Sequence, residues 1–255
     1  MKIICFSSHT ATWYFALSEA TTASVLQKRG HNVLFITPGN LFNGVSNLKL
    51  EKILRKEFKL KGYELGDVLT GNDFKEISLI MKKLNKKNFA KLVIDGVHVG
   101  KISLYEFLLN HKKIDLNFTR GEWTECKIHL KNTLISFFVC RTIINNEKPE
   151  RILVYNGLYA ANRVWERYAK LKGIPSYFLH NGLNYSDSNN TLIVAKGNSL
   201  DYFSELNNIW AKVKMKTVSQ HALSYVSDHF FSLLKAKHDL VYSTPKSKKK
   251  ISIRD

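Results

Sequence analysis

Short unbroken apolar runs recur along the chain, each followed by a polar turn and then by a stretch with helical spacing. The first run, "KIICFS" (2–7), has the length and β-branched content of a buried strand. Leu17, Ala20, Val25 and Leu26 then fall near helical spacing, which predicts a helix over 17–29 stopped by Gly30. "HNVLFIT" (31–37) is a second strand, ended by Pro38-Gly39. Strand, loop, helix, Gly and strand in this succession make a βαβ unit, whose strands should lie parallel across a right-handed crossover.

The pattern continues. Residues 47–90 read as helical and surface-rich with breaks near Gly62 and Gly71, and "LVI" (92–94) as a short strand before an Asp95-Gly96 turn. Helices are predicted over "KISLYEFLLN" (101–110) and over 124–146, with Pro149 closing that region. "RILVY" (151–155) and "SYFLH" (176–180) are two more strands around a helix at 158–172. A loop rich in Asn and Ser follows, then helices over about 199–237, and "DLVYS" (239–243) as a last strand. Strands without alternation, separated by helices, imply a parallel sheet covered on both faces. The fold expected is a Rossmann-like doubly wound α/β domain over 1–243, with a basic tail or linker over 244–255.

Composition narrows the classes. At 44% apolar and 12% aromatic, 255 residues can bury a substantial core. The net charge of +18 comes from 31 Lys against 8 Arg, and the lysines are scattered over helix surfaces such as "KILRKEFKLKGYE" and "MKKLNKKNFAK". Nucleic-acid binding leans on Arg forks interleaved with aromatics, so this distribution disfavours it. A solvated basic surface, an anionic membrane leaflet or an acidic substrate remain. Cys5, Cys126 and Cys140 are odd in number and show no CxxC spacing, as expected of buried thiols in a reducing compartment. The apolar start is broken by Ser7-Ser8-His9-Thr10, too early for a signal peptide, and no run approaches the ~20 residues of a membrane span. The expected location is cytoplasmic, or peripheral on the inner face of the cell membrane.

In open α/β sheets, ligands bind beyond the carboxyl ends of the strands. Three polar segments lie there: Ser7-Ser8-His9, Asn156-Gly157 and His180-Asn181-Gly182. The first lacks the GxGxxG that brings backbone against a pyrophosphate, and no Walker A, HExxH or GxSxG sequence is present. His9 is placed to act as a general base or simply to bond backbone. His180-Asn181-Gly182 and Asn156-Gly157 read either as ligand contacts or as plain turns. Arg163, one turn into its helix, either clamps an anion or stays on the surface, and Asp95 is a turn former before it is a catalytic carboxylate. The chain shows no ligand set for a metal.

The stretch "EKPERILVYNGLYAANRVWERYAKLKGIPSYFLHNG" resembles a segment of bacterial GT-B glycosyltransferases that build capsule or O-antigen polysaccharide, although Leu158 stands where their pattern has Arg. "LSEATTASVLQKRGHNVLFITPG" is similar to the helix–strand that opens many GT-B chains, and "IDGVHVGKISLYEFL" to their middle segment. The resemblance implies the N-terminal, acceptor-side half of such an enzyme. It implies a nucleotide sugar as donor substrate, a surface-polysaccharide or lipid-linked glycan as acceptor, and no cofactor. A second Rossmann domain or a partner chain would hold the donor. His9 matches the histidine that serves as base in some inverting families; in a retaining transfer it would only bind. Ser7, Ser8, Asn156, Gly157, His180, Asn181 and Gly182 would contact sugar, and Arg163 an acidic sugar or lipid phosphate. Two other classes fit the same sequence: a non-catalytic partner resembling half a transferase, and a basic nucleic-acid-associated α/β protein.

Overall fold

The computed structural model describes residues 1–42, 45–181 and 192–197, with a few isolated helical positions between 207 and 227. Strand β1 (Lys2–Phe6) leads through helix α1 (Trp13–Lys28) to β2 (Asn32–Ile36). Helices α2 (Leu48–Glu57), α3 (Leu65–Val68) and α4 (Gly71–Lys83) follow, then a 3-10 turn at Phe89–Lys91. Next come α5 (Val99–Ile102), α6 (Tyr105–His111) and the long α7 (Arg120–Glu147). The chain then re-enters the sheet as β3 (Arg151–Tyr155), α8 (Ala160–Leu171), β4 (Ser176–Asn181) and β5 (Leu192–Lys196).

The sheet order is β2-β1-β3-β4-β5, with the first four strands parallel. This is the Rossmann-like α/β fold that the apolar runs predict. The register sorts side chains by parity. Ile4, Phe6, Ile152 and Val154 point to a layer formed largely by α7 and α8. Ile3, Cys5, Leu153 and Tyr155 point to the layer of α1 and α2. Both faces of β1 and β3 are therefore dry, which is why these strands read as continuous apolar runs. On the first face Trp165 is fully buried, stacked on Phe6 at 4.8 Å, and its indole N–H donates to Ser136 Oγ at 3.0 Å. Tyr and Trp carry a polar handle that must be satisfied when buried, and here it is.

Because β1 sits between β2 and β3, the chain leaves β1 in one direction along the sheet and returns on the other side. The crevice between the ends of β1 and β3 is thus the topological switch point. Helix α7 shapes it. Its 28 residues span about 42 Å, against about 17 Å for a five-residue strand. Glu147, at its end, pairs with Lys2 at the start of β1 (3.0 Å), so the first turns of α7 overhang the carboxyl edge of the sheet. A capping box between Thr119 and Glu122 starts this helix four residues before the predicted Thr124.

Other elements depart from expectation. Helix α1 begins at Trp13 rather than Leu17, since Ala16, Ala20, Ala23 and Ser24 face the core and small residues give little amphipathic contrast. "LVI" is not a strand of the sheet: Ile94 and Val97 close a lone antiparallel bridge around Asp95-Gly96, both with positive φ (47° and 81°). That is the Asp-Gly turn geometry of a tight hairpin. The fifth strand, β5, pairs antiparallel with β4, from Tyr177↔Lys196 to Asn181↔Leu192, where a loop running on into helices was expected. The predicted helices over 199–237, the strand 239–243 and the basic tail lie outside the described residues apart from the isolated helical positions. All three cysteines are buried and unpaired. Among the described residues no helix is long and apolar enough to cross a membrane.

Candidate functional site

The loop from β1 to α1 is held on several sides before it presents anything. Ser7 N–H donates to the Ile36 carbonyl (2.9 Å), extending the sheet ladder by one residue, and Ala11 N–H donates to the Val45 carbonyl (3.0 Å). Thr10 Oγ1 donates to the buried Glu51 carboxylate (2.5 Å), whose other oxygen accepts from the Gly39 N–H (3.1 Å). These bonds fix His9 at the mouth of the switch point. Its Nδ1 lies 2.5 Å from Ser8 Oγ, and its ring packs on Tyr159 with centroids 4.4 Å apart. Two tautomers fit this contact: with Nδ1–H donating to Ser8 the Nε2 lone pair is open to a ligand, and with the Ser8 hydroxyl donating to Nδ1 it is Nε2–H that faces the ligand. Burial pushes the His9 pKa down to about 4, and the His129 imidazole on the overhanging part of α7 adds like-charge repulsion. His9 is therefore neutral at physiological pH.

Behind His9 lies a carboxyl that the sequence did not single out. Glu19, on α1, is 1% exposed. It accepts a hydrogen bond from Ser7 Oγ and another from the Tyr155 N–H (3.1 Å), so it ties the ends of β1 and β3 together from beneath. Burial raises its pKa to about 8, against the lowering effect of those two bonds. The group is mostly protonated at neutral pH, which spares the switch point a buried charge.

The Asn156-Gly157 segment turns the chain from β3 into α8. Asn156, not Gly157, takes the left-handed conformation (φ 41°), a region Asn tolerates better than most side chains. Its N–H donates to the Leu179 carbonyl (2.8 Å), holding the ends of β3 and β4 in line. His180 stacks on Tyr155 (5.5 Å), Tyr155 on Phe15 (4.1 Å), and Phe15 approaches Tyr159 (6.4 Å). An unbroken run of rings thus connects His180 to His9 along the carboxyl edge. Asn181 ends β4, and Gly182 lies outside the described residues.

The remaining candidates have other surroundings. Ser7 is fully buried with its hydroxyl on Glu19, and Ser8 is 1% exposed. Arg163 lines a groove on the flank of α8 together with Leu158, where it pairs with Glu166 (3.6 Å). Asp95 sits in its hairpin turn, half-exposed and 3.4 Å from Arg141. Among the described residues, no group of three His, Cys, Asp or Glu is arranged to hold a metal ion.

Several neighbours of the site come from α6 and α7. His129 is 3.8 Å from Glu125, which is 2.9 Å from His111 of α6. Burial lowers the His129 pKa, opposed by Glu125. Glu106 accepts the Ala160 N–H at the start of α8 (2.8 Å), while its Oε2 is buried without a hydrogen-bond partner. Burial raises its pKa to about 7. The i, i+4 spacing of Glu125 and His129 is the local sequence signal within this group. The ensemble is that of an α/β protein with a polar, aromatic-lined edge at its switch point. No protein-family model, curated protein or solved structure matches the chain.

Proposed function

We propose that the carboxyl edge around His9 is the acceptor side of a sugar-transfer site. The observation that carries this reading is an imidazole held at the switch point, its Nδ1 2.5 Å from Ser8 Oγ and its ring on Tyr159, in a burial that favours the neutral form. Aromatic faces suit the C–H faces of a sugar ring, and Tyr159 beside His9 and the 55% exposed Trp13, four residues along, supply them. In an inverting transfer, Nε2 of His9 takes the proton of the acceptor hydroxyl as that oxygen bonds the anomeric carbon. The bond from that carbon to the nucleoside diphosphate breaks, and the diphosphate leaves with the electron pair.

The low pKa sets a condition on this step. Protonating a group of pKa about 4 at pH 7 costs about 4 kcal/mol. The negative diphosphate arriving beside His9 offsets that cost, so the base works only when a second Rossmann domain or partner chain presents the donor. If the transfer retains configuration, His9 binds the acceptor and takes no proton. On this reading the domain works in the cytoplasm against the inner face of the membrane, where the net charge of +18 favours anionic lipid and lipid-linked acceptors.

The test is saturation-transfer NMR of the full chain with a panel of neutral and acidic mono- and disaccharides. At least one should bind, and His9→Ala and Tyr159→Ala should each weaken it about tenfold with circular dichroism unchanged. A panel in which nothing binds, or binding indifferent to both substitutions, sinks the proposal.

A further inference from the structure

A groove of about 840 Å³ lies on the flank of α8, outside the residues that frame His9. One wall is α8; the other is the segment from Gly96 to Leu108. Leu158 and Leu171 bracket α8 and both line the groove, so it follows the helix for its whole 12 residues, about 18 Å. Its apolar lining includes Ile102, Leu108, Leu158 and Leu171, and four cations stand on it: Lys101, Arg163, Arg167 and Lys170.

Among the described residues, no carboxylate lines this groove. Glu166, 3% exposed, sits behind the two guanidinium groups, 3.6 Å from Arg163 Nε and 3.3 Å from Arg167 Nε. It holds both guanidinium groups in place and offsets part of their charge. On α8, Arg163, Arg167 and Lys170 recur at i, i+4 and i+7, a single stripe, while Val164, Trp165 and Tyr168 fill the opposite, core-facing side. An ordinary solvated stripe projects into water from a polar surface; this one stands over a leucine-rich trough. Excess positive charge above an extended apolar floor is complementary to a linear molecule with an anionic head and an alkyl arm. The lysine-rich stretch 246–250 of the chain's own end has the wrong sign to fill it.

We infer that the groove along α8 binds an anionic amphiphile, its phosphate or carboxylate head held by the Arg163–Arg167–Lys101–Lys170 group and its alkyl arm laid along Leu108 and Leu171. The site stands apart from the chemistry at His9, and its test reads binding alone. Calorimetry of the full chain with decyl phosphate, below its micelle concentration, should show saturable one-to-one binding. That binding should be at least tenfold tighter than to inorganic phosphate or to a neutral decyl glycoside. Lys101→Glu/Lys170→Glu should weaken it tenfold or more, as should Leu171→Asp; all three side chains are exposed, so the fold tolerates the changes. The matched reversal Lys49→Glu/Lys52→Glu on α2 should leave the affinity unchanged. The inference is overturned by inorganic phosphate binding as tightly as decyl phosphate, by binding that survives Leu171→Asp, by equal loss in the α2 reversal, or by no saturable binding.

Discussion

Replacing Glu19 with Gln separates its charge from its shape. The carboxyl is buried, accepts from Ser7 Oγ and the Tyr155 N–H, and titrates near 8 in the folded chain against an ordinary value of 4.5. Between those two values the folded state holds a proton that the unfolded state has released. Stability from this group is therefore fully present below about pH 4.5 and is lost as pH rises toward 8. A shift of 3.5 units corresponds to about 5 kcal/mol across that window, and about 3 kcal/mol of it is already lost at pH 7. Glutamine keeps an acceptor for Tyr155 and, with the Ser7 hydroxyl turned to accept, a donor for Ser7, but has no proton to lose.

The assay is urea unfolding of wild type and Glu19→Gln at pH 5 and pH 8. The two should differ little at pH 5, and the variant should be the more stable at pH 8 by several kcal/mol. His9 titrates in the opposite sense: its folded pKa is depressed, so its contribution rises with pH between about 4 and 6.5. It is common to both proteins and cancels in their difference. If the gap between wild type and variant is the same at both pH values, the Glu19 carboxyl is not the buried neutral group described here and the reasoning fails.

Two further outcomes follow from the packing. Gly62 has φ 152°, and a Cβ there would lie 2.0 Å from the Phe35 carbonyl oxygen of β2, where Phe35 N–H donates to the Lys61 carbonyl (2.8 Å). Gly62→Ala should cost about 2–5 kcal/mol in urea unfolding; stability like that of wild type would show that this chain segment does not clamp the edge of β2. The lysines of 49–61 and 82–91 belong to opposite faces of the sheet, since Leu54 packs with the α1 layer and Ile77 with the α7 layer. One flat membrane cannot engage both, so charge reversal in one stretch should abolish sedimentation with anionic vesicles, each lysine counting for about 1 kcal/mol. Equal dependence on both stretches would leave a diffuse charge effect and no docking face.

How much of this was legible in the sequence follows from what each feature depends on. Strands β1 to β4 are visible because a strand buried on both faces must be apolar through its middle, as "ILVY" and "VLFI" are after their polar first residues. The polar segments after them mark the carboxyl edge because the apolar packing of the sheet ends there, even though Ser7 and Ser8 stay buried against polar partners. The start of α7 was equally legible, since Thr119 and Glu122 form a local capping box that the helical spacing from 124 passed over. None of these depends on distant partners.

Other features exist only through such partners. Glu19 sits in "LSEATTA", where a glutamate reads as a solvent-facing helix residue; only the strand order, with β1 beside β3, puts Ser7 and Tyr155 around it and makes it a buried acid. Strand β5 is an edge strand with alternating exposure, and nothing local distinguishes "LIVAK" from a short apolar turn of a helix until β4 offers it a ladder. His129 enters the surroundings of His9 because α7 is longer than the strands it covers, a mismatch in rise per residue between a helix and a sheet. Local chemistry is written in spacing and propensity, so one segment suffices to read it. The site and the groove arise between segments far apart in the chain, and their energies belong to contacts that form only when the whole sheet has closed.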